Sequence, residues 1–281
     1  MIVVFLVVLG LILGSFLCAS VWRLHEQTEI TEKKKKTKAD LQYLKDLSIS
    51  KGRSMCGNCK HELAAKDLVP LLSWLYLRGK CRYCNKPIGW LEPSVELATA
   101  LLFVFSYVLW PQTLTGQGLF DFVVWLTLLV GFVSLAVYDL KWFLLPDKIV
   151  LPLTVLAVVR VLADVFVFGG GLKQLSLSFA GGLLIAGLFY GLFAVSNGRW
   201  IGGGDVKLAF MLGLLAGSPL MALLVIFMSS VFGTLAALPL LFRGKANRNT
   251  VVPYGPFLLF ATVIVVLLGD RLVRAYEAIF I

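Results

Sequence analysis

Two acidic residues near the ends of long apolar stretches are the first candidates for chemistry in this chain. Asp139 lies in VSLAVYDLKWFLLPD and Asp205 lies in RWIGGGDVKLAF. An ionisable side chain at membrane depth is costly and is a functional-site hypothesis by default. If the two carboxyls meet, one can activate water while its protonated partner polarises a peptide carbonyl, and the two titrate as one coupled pair. The two aspartates therefore predict acid/base chemistry shared between distant parts of the chain.

Each aspartate also has a structural interpretation, which the sequence leaves open. Asp205 suits the N-cap or first turn of a helix, where the helix dipole favours an acid. Asp139 suits an interfacial ion pair with Lys141 or Lys207. The glycines 202–204, directly before Asp205, permit close backbone approach and favour the paired arrangement. They are not a phosphate-binding loop, because the Gly-Lys-Ser/Thr ending is missing.

Four cysteines form two C-x2-C pairs, Cys56/Cys59 and Cys81/Cys84. Each pair can place two sulfurs on one ion, and the second pair completes a tetrahedral tetrathiolate zinc site. Four thiolates leave no open position for water, so the zinc is predicted to be structural. Disulfides are the alternative, and a reducing compartment disfavours them.

Further acidic residues have structural alternatives beside a supporting role. Asp147 follows Pro146 and suits a helix start. Glu96 is interpreted either as a first-turn acid of a helix or as part of a site. Asp164 follows Arg160 by one turn, so an ion pair is sufficient to explain it. The candidate supporting residues are Gly202, Gly204, Lys207, Asp147 and Glu96.

The elements that must position these residues are predicted to be transmembrane helices. The 281 residues are 59% hydrophobic and only 15% charged, which is typical of a polytopic membrane protein. Eight apolar segments are each near the roughly 20 residues that cross a bilayer. The sixth is short, and is a span only if Asp205 lies at the membrane surface. The segments are 1–22, 93–110, 119–140, 148–168, 172–195, 205–217, 219–242 and 252–269.

The predicted fold is therefore all-α, with about eight transmembrane helices and a small zinc module between the first and the second. Two small-xxx-small pairs, Gly187/Gly191 and Gly213/Gly217, predict close helix packing. The predicted domains are a first transmembrane helix at 1–22, a basic cytoplasmic linker at 23–53, a four-cysteine module at 54–90, and a helical bundle at 91–281.

Positive charge predicts the orientation of the bundle. Residues 23–90 hold more than half of the 26 Lys and Arg, whereas the loop 111–118 holds none. By the positive-inside rule, the N-terminus lies outside, and the zinc module and both aspartates lie on the cytoplasmic side. The first segment lacks a cleavage site and is expected to remain as a span. Lys33 to Lys36 and Lys38 are expected to contact anionic membrane lipids. Nucleic acid is the disfavoured alternative, and no nucleic-acid partner is expected.

The ordered motifs resemble those of the type IV prepilin peptidases, the bifunctional leader peptidase/N-methyltransferases of bacteria, over nearly the whole chain. The two C-x2-C pairs are among the motifs that match, and they follow the first motif in the chain. The other matching segments are Gly14-Ser15-Phe16 with Arg23-Leu24, Pro93 to Leu97 (P-x-V-E-L), Asp139 to Asp147 (D-x6-P-D), Gly202 to Lys207 (GxGDxK), and Pro253 to Phe257 (P-x-G-P).

The resemblance implies an aspartic endopeptidase whose catalytic dyad is Asp139 and Asp205. It implies prepilins or pseudopilins as substrates, cleaved after a short basic leader at the cytoplasmic face of the bacterial inner membrane. It further implies N-methylation of the new N-terminus with S-adenosylmethionine as the methyl donor. No motif identifies residues that bind the methyl donor.

Two other classes of function compete with the peptidase on the residues alone. Buried acids and glycine-interrupted helices also occur in ion-coupled transporters, but transporter acids lie near the midplane, and these two are predicted at one surface. A non-catalytic zinc module, anchored by the bundle to recruit partners, is the second alternative.

Overall fold

The computed structural model describes residues 1–33, 37–48, 52–242 and 252–280. The secondary structure of these residues is helical apart from turns and two isolated bridges, which confirms the all-α prediction. Within these described residues, seven helices are long and apolar enough to cross a membrane. The chain divides into two compact units, residues 1–108 and 109–281.

The first unit contains two long helices and the cysteine module. α1 extends over Ile2–Glu32, beyond the end predicted at residue 22. Two short helices follow, α2 at Lys38–Asp46 and α3 at Leu72–Tyr76, and then α4 at Leu91–Leu109. The predicted linker stays a prediction, and its Lys34 to Lys36 lie outside the described residues.

Two glycines bring α1 against α4. A Cβ on Gly10 would lie 2.6 Å from the Cα of Ala100, and one on Gly14 would lie 2.7 Å from the Cα of Glu96. Side chains at either position would collide with the backbone of α4, so glycine sets the spacing of the two helices. Gly14 belongs to the GSF motif and Glu96 to the P-x-V-E-L motif, which places these two segments in contact.

The part of the second unit that the structure describes forms six helices. Its short helix α8 has 14 residues and is about 21 Å long, less than the roughly 30 Å of a bilayer core. The sequence also predicted a short sixth segment. The helices are α5 at Gln117–Trp142, α6 at Asp147–Phe166, α7 at Leu172–Ser196, α8 at Gly203–Ala216, α9 at Pro219–Phe242 and α10 at Gly255–Phe280.

Glycines also fix the crossing of α7 and α8, although only one of the two predicted pairs contributes. A Cβ on Gly213 would lie 2.5 Å from the carbonyl oxygen of Gly181, so the two backbones touch. Gly217 ends α8 in the left-handed conformation, with φ at 78°. The prediction for Gly187 and Gly191 is wrong, because a Cβ at either would meet no atom of the described residues within 4 Å. Both therefore face open space, which lipid fills in a bilayer.

Candidate active site

Asp139 lies in the last turn of α5, where the helix stops at a left-handed residue. Phe143 takes φ of 55° and donates its N–H to the Asp139 carbonyl, 2.8 Å away. The Asp139 side chain is buried, and its Oδ2 accepts a hydrogen bond of 3.1 Å from the N–H of Gly255. Gly255 is the first residue of α10, so Asp139 faces the positive end of that helix dipole.

Asp205 lies in the first turn of α8 and is half-buried. Its Oδ2 accepts a hydrogen bond of 3.3 Å from the N–H of Gly202, directly before the helix. The structural interpretation of Asp205 as a first-turn acid is thus correct. Asp205 can have a chemical role as well, because this bond uses only one of its two carboxylate oxygens.

The structure brings Asp139 and Asp205 together, although 66 positions separate them. Their carboxyl groups interact electrostatically. The turn residue Leu145 lies between the elements that carry them. A Cβ on Gly204 would lie 3.0 Å from the Cβ of Leu145, and one on Gly255 would lie 3.6 Å from its Cδ2. The end of α5 and the starts of α8 and α10 therefore meet around two acids.

Gly255 is a site residue that the sequence reasoning missed. A Cβ at this position would lie 2.6 Å from Oδ2 of Asp139, so only glycine lets its N–H reach the carboxylate. The preceding Tyr254 holds this segment in place, since its hydroxyl lies 2.6 Å from Oγ of Ser229 on α9. The P-x-G-P motif contains this glycine and is the available signal, but the motif alone does not connect it to an aspartate.

The supporting residue Lys207 pairs with Asp147. Its Nζ lies 2.8 Å and 2.7 Å from the two carboxylate oxygens, which links the first turns of α6 and α8. The alternative that Lys207 neutralises Asp139 is therefore wrong. The other proposed partner, Lys141, lies over the ring of Trp142. Asp147 is the first residue of α6, as its structural interpretation predicted.

The ion pair predicted between Arg160 and Asp164 is wrong. Arg160 Nε donates to Oδ1 of Asp121 on α5 at 2.8 Å, and Asp164 accepts a hydrogen bond from Gln117. The spacing of one helical turn allowed the predicted pair, but both side chains bond across to α5 instead.

Glu96 belongs to the first unit and lies in the second turn of α4. The first-turn acid of that helix is Glu92, so this alternative for Glu96 is wrong. Glu96 is buried, and its Oε2 accepts a hydrogen bond of 2.7 Å from the N–H of Leu71. Leu71 directly precedes α3 and has a φ of 56°, a conformation that non-glycine residues seldom adopt. Glu96 thus fastens the cysteine module to a transmembrane helix.

The four cysteine sulfurs of the module converge as the spacing predicted. The Sγ atoms of Cys56, Cys59, Cys81 and Cys84 all lie within 4.8 Å of one another. Those of Cys56 and Cys84 are 3.9 Å apart. Tetrahedral zinc with Zn–S bonds near 2.3 Å requires sulfurs about 3.8 Å apart, so the four residues fit this ion.

The two cysteine pairs lie in two turns of the same design. Cys56 N–H donates to the His61 carbonyl at 2.9 Å, and Cys81 N–H donates to the Lys86 carbonyl at the same distance. The residue after each pair has a positive φ, 57° at Lys60 and 53° at Asn85. Each turn thus closes in the same way and presents its two sulfurs on one side.

Burial raises the pKa of the Cys56 thiol, but hydrogen bonds from the backbone of Cys59 and Asn58 outweigh burial and lower it to about 7. Burial raises the pKa of Cys81. A thiolate is the form that binds a metal, so the backbone groups around Cys56 favour ligation.

Asp67 connects the segment between the turns to the second turn. Its side chain is almost fully buried, and Oδ1 accepts a hydrogen bond of 2.6 Å from Arg82 Nε. Its other oxygen accepts from the hydroxyl of Tyr83 at 3.1 Å. Arg82 and Tyr83 lie between Cys81 and Cys84 in the sequence. The two bonds to Asp67 therefore stabilise the turn that carries the second pair of ligands.

Comparison with known families gives matches to two domain models. Residues 8–110 match the bacterial peptidase A24 N-terminal domain, and residues 122–238 match the type IV leader peptidase family. The first match contains the cysteine module, and the second contains both Asp139 and Asp205.

Comparison with curated proteins finds relatives that carry one name, prepilin leader peptidase/N-methyltransferase. The relative from Pseudomonas aeruginosa is 34% identical over 96% of this chain and 91% of its own length. The one from Stutzerimonas stutzeri is 34% identical over 79% of this chain and 74% of its own. The one from Bacillus subtilis is 29% identical over 82% and 87%. No solved structure matches this chain.

Proposed function

This chain belongs to the type IV leader peptidase family, and we propose that it is a membrane aspartic endopeptidase that removes the leader peptide of prepilins or pseudopilins. The observation that carries the proposal is the meeting of Asp139 and Asp205 at the ends of three helices. The family match and the names of the relatives favour this function over a transporter or a non-catalytic zinc module.

The two carboxyls divide the work of peptide hydrolysis. The ionised carboxyl takes a proton from a water molecule, whose oxygen attacks the carbonyl carbon of the peptide bond. The protonated carboxyl polarises the carbonyl oxygen and stabilises the tetrahedral intermediate. The carboxyl that took the proton from water then passes it to the nitrogen of the departing amine as the C–N bond breaks. We assign the two roles to Asp139 and Asp205 as a pair, because acids that interact titrate together rather than one by one.

Backbone groups preorganise the pair for this reaction. The N–H of Gly255 fixes Asp139, and the N–H of Gly202 fixes Asp205. Each acid also lies beside the start of a helix, α10 or α8, whose dipole stabilises a negative charge. Lys207 and Asp147 join the starts of α6 and α8 and so support the same region. We assign these two residues a positioning role.

The protein is expected in the bacterial inner membrane with its N-terminus outside. The charge distribution of the loops supports this orientation, because residues 23–90 hold more than half of the positive side chains. Asp139 at the end of α5 and Asp205 at the start of α8 then lie on the cytoplasmic side. A substrate whose apolar helix occupies the bilayer would present its leader junction at that depth.

The cysteine module is assigned one structural zinc ion. Cys56, Cys59, Cys81 and Cys84 would hold it, and the ion would supply folding free energy to the module. The relatives' names support a second activity, methylation of the new N-terminus with S-adenosylmethionine as the methyl donor. No residue of this chain is assigned to that donor.

The peptidase assignment is tested with Asp139→Asn and Asp205→Asn. Each variant is co-expressed with a prepilin of Pseudomonas aeruginosa, in cells that lack their own prepilin peptidase, and the pilin is measured by mass spectrometry. Each substitution should abolish cleavage, because an amide cannot take or hold the shared proton. Wild-type protein should release the leader. If methylation follows, the mass of the cleaved pilin should rise by about 14 Da, the mass of one CH₂.

The matched control is Glu277→Gln, the same carboxyl-to-amide change at an exposed position of α10. It should cleave the prepilin at the wild-type rate. Complete cleavage by either aspartate variant, at normal amounts of membrane-inserted protein, would exclude the dyad.

A further inference from the structure

A cavity of about 380 Å³ lies in the second unit, far from the two catalytic candidates. It is lined by Asp121 near the start of α5 and by Gly217 at the end of α8. Asp139 is at the end of α5 and Asp205 at the start of α8, so the cavity lies at the opposite end of both helices. The 18 residues of α5 from Asp121 to Asp139 rise by about 27 Å, close to the thickness of the bilayer core. The cavity therefore lies towards the other membrane surface.

Two buried polar atoms of this cavity lack partners. Asp121 is 3% exposed, and while its Oδ1 accepts from Arg160, its Oδ2 has no hydrogen-bond partner among the described residues. The same holds for the indole N–H of Trp110. Leaving a buried polar group without a partner is costly, and such groups in native proteins ordinarily have one. The cavity thus presents one unused acceptor and one unused donor.

The charges and rings around the cavity favour a cationic group beside the acceptor. Two acids, Asp121 and Asp270, line it with one base, Arg160. The rings of Trp110 and Trp125 also line it, with their centroids 6.3 Å apart, and aromatic faces attract cations. A primary ammonium group satisfies Oδ2 of Asp121, because it carries N–H donors as well as positive charge.

The unused indole N–H requires an acceptor within the same ligand. A phosphate ester oxygen, a few bonds from the ammonium group, would meet this need. The lining of the cavity also includes the apolar side chains of Val124, Leu128 and Val265, which suit the first carbons of a lipid.

We propose that this cavity binds a zwitterionic aminoethyl phosphate group, the headgroup of phosphatidylethanolamine. Its ammonium donates to Oδ2 of Asp121, and a phosphate oxygen accepts from Nε1 of Trp110. The same chemistry is present in soluble phosphoethanolamine, so the experiment must distinguish a lipid from a free ligand. The proposal is independent of the peptidase assignment, since no step of the hydrolysis uses this cavity.

The test reconstitutes the full chain in vesicles of equal parts phosphatidylethanolamine and phosphatidylcholine. After extraction in mild detergent, the lipids retained on the protein are counted by native mass spectrometry. Phosphatidylcholine is the discriminating competitor, because its quaternary ammonium has no N–H to donate. Wild type should retain phosphatidylethanolamine on the order of tenfold more often, the effect of about one hydrogen bond to a charged group. Equal retention of the two lipids would overturn the proposal.

Two variants test the assigned contacts. Asp121→Asn removes the charge that accepts from the ammonium group and should reduce the preference to near unity. Trp110→Phe keeps an aromatic ring but removes the donor to the phosphate, which both lipids carry, so it should reduce the retention of both lipids. Trp110→Phe leaves the ion pair with Arg160 intact, so it stays informative if the other variant fails to fold. Trp200→Phe and Asp46→Asn make the same changes at exposed positions and should keep the preference.

A second arm adds soluble phosphoethanolamine to delipidated protein and measures the melting temperature. A rise in wild type that is absent in Trp110→Phe would assign the site to the free ligand and support the shared chemistry. No rise, together with selective lipid retention, would assign it to the lipid. Variants that retain phosphatidylethanolamine as wild type does would disprove the cavity as its site.

Discussion

The N–H of Gly255 donates a hydrogen bond of 3.1 Å to Oδ2 of Asp139, across 116 positions of the chain. This bond joins the first residue of α10 to the last turn of α5. It depends on the absence of a side chain at residue 255, because a Cβ would lie 2.6 Å from the same oxygen. The carboxylate is a flexible group, so it would move away from an added methyl group before the helices did.

Gly255→Ala is therefore expected to lower activity more than stability. The displaced Asp139 should reduce kcat by roughly 10²-fold, the scale of a 1 Å misplacement in an active site, with a smaller change in KM. The measurement is cleavage of a purified prepilin, together with the thermal stability of the enzyme. Gly191→Ala is the matched control, since a Cβ there meets no described residue, and it should cleave normally. An alanine at 255 with wild-type kcat would contradict the positioning role.

Gly213→Ala is expected to destabilise the bundle. Its Cβ would lie 2.5 Å from the backbone carbonyl of Gly181, and backbone cannot yield as a side chain can. Overpacking of this kind costs about 1–3 kcal/mol, so the melting temperature should fall. Gly187→Ala, a control on the open face of α7, should leave the melting temperature unchanged or raised. Equal melting temperatures for the two variants would refute a tight crossing of α7 and α8.

Replacing Cys56 and Cys59 by serine is expected to remove the bound zinc. Wild type should contain one zinc per chain by metal analysis, and the double variant should contain none and expose its module to protease. Cys18→Ser is the control, because Cys18 lies in α1 and outside the sulfur cluster, so its zinc content should be normal. Wild-type protein purified without zinc would invalidate the assignment.

Asp67→Asn is expected to weaken zinc retention without touching a ligand. The lost charge no longer holds Arg82 and Tyr83 in the second turn, and substitutions behind metal ligands reduce affinity by about 10–100-fold. The measurement is zinc transfer to a competing chelator, and the exposed-site variant Asp46→Asn should transfer zinc at the wild-type level. Retention as strong as in wild type would count against this role.

The bonds of Asp67 also predict that the stability of the cysteine module depends on pH. Burial alone would raise the pKa of Asp67, but hydrogen bonds from Arg82 and Tyr83 outweigh burial and hold the pKa below its ordinary value. A carboxyl whose pKa is lowered by folding stabilises the folded module at pH values above its unfolded pKa of about 3.9. This contribution is lost as pH falls through the lower, folded value. In denaturant unfolding of the metal-free protein, the stability difference between wild type and Asp67→Asn should therefore be full at neutral pH and shrink as pH falls below about 4.

Several features of this protein follow from the sequence alone. The apolar segments specify membrane helices, because crossing a bilayer requires a certain length of apolar residues. The spacing of Cys56, Cys59, Cys81 and Cys84 specifies one sulfur cluster, because each pair is constrained by a short turn. The first-turn positions of Asp147 and Asp205 follow from Pro146 and from the glycine run. In each case the determining interactions are local.

Contacts between helices were decided only by the tertiary structure. Arg160 has an acid one turn away, yet it pairs with Asp121, and Lys207 pairs with Asp147 rather than Asp139. Gly187 and Gly213 belong to identical sequence patterns, but only Gly213 faces another helix. Which side of a helix meets its neighbour depends on how the helices are rotated and crossed, and no short pattern encodes this. The meeting of Asp139 and Asp205 with Gly255 is a result of the same kind, since it depends on packing that joins the ends of three separate helices.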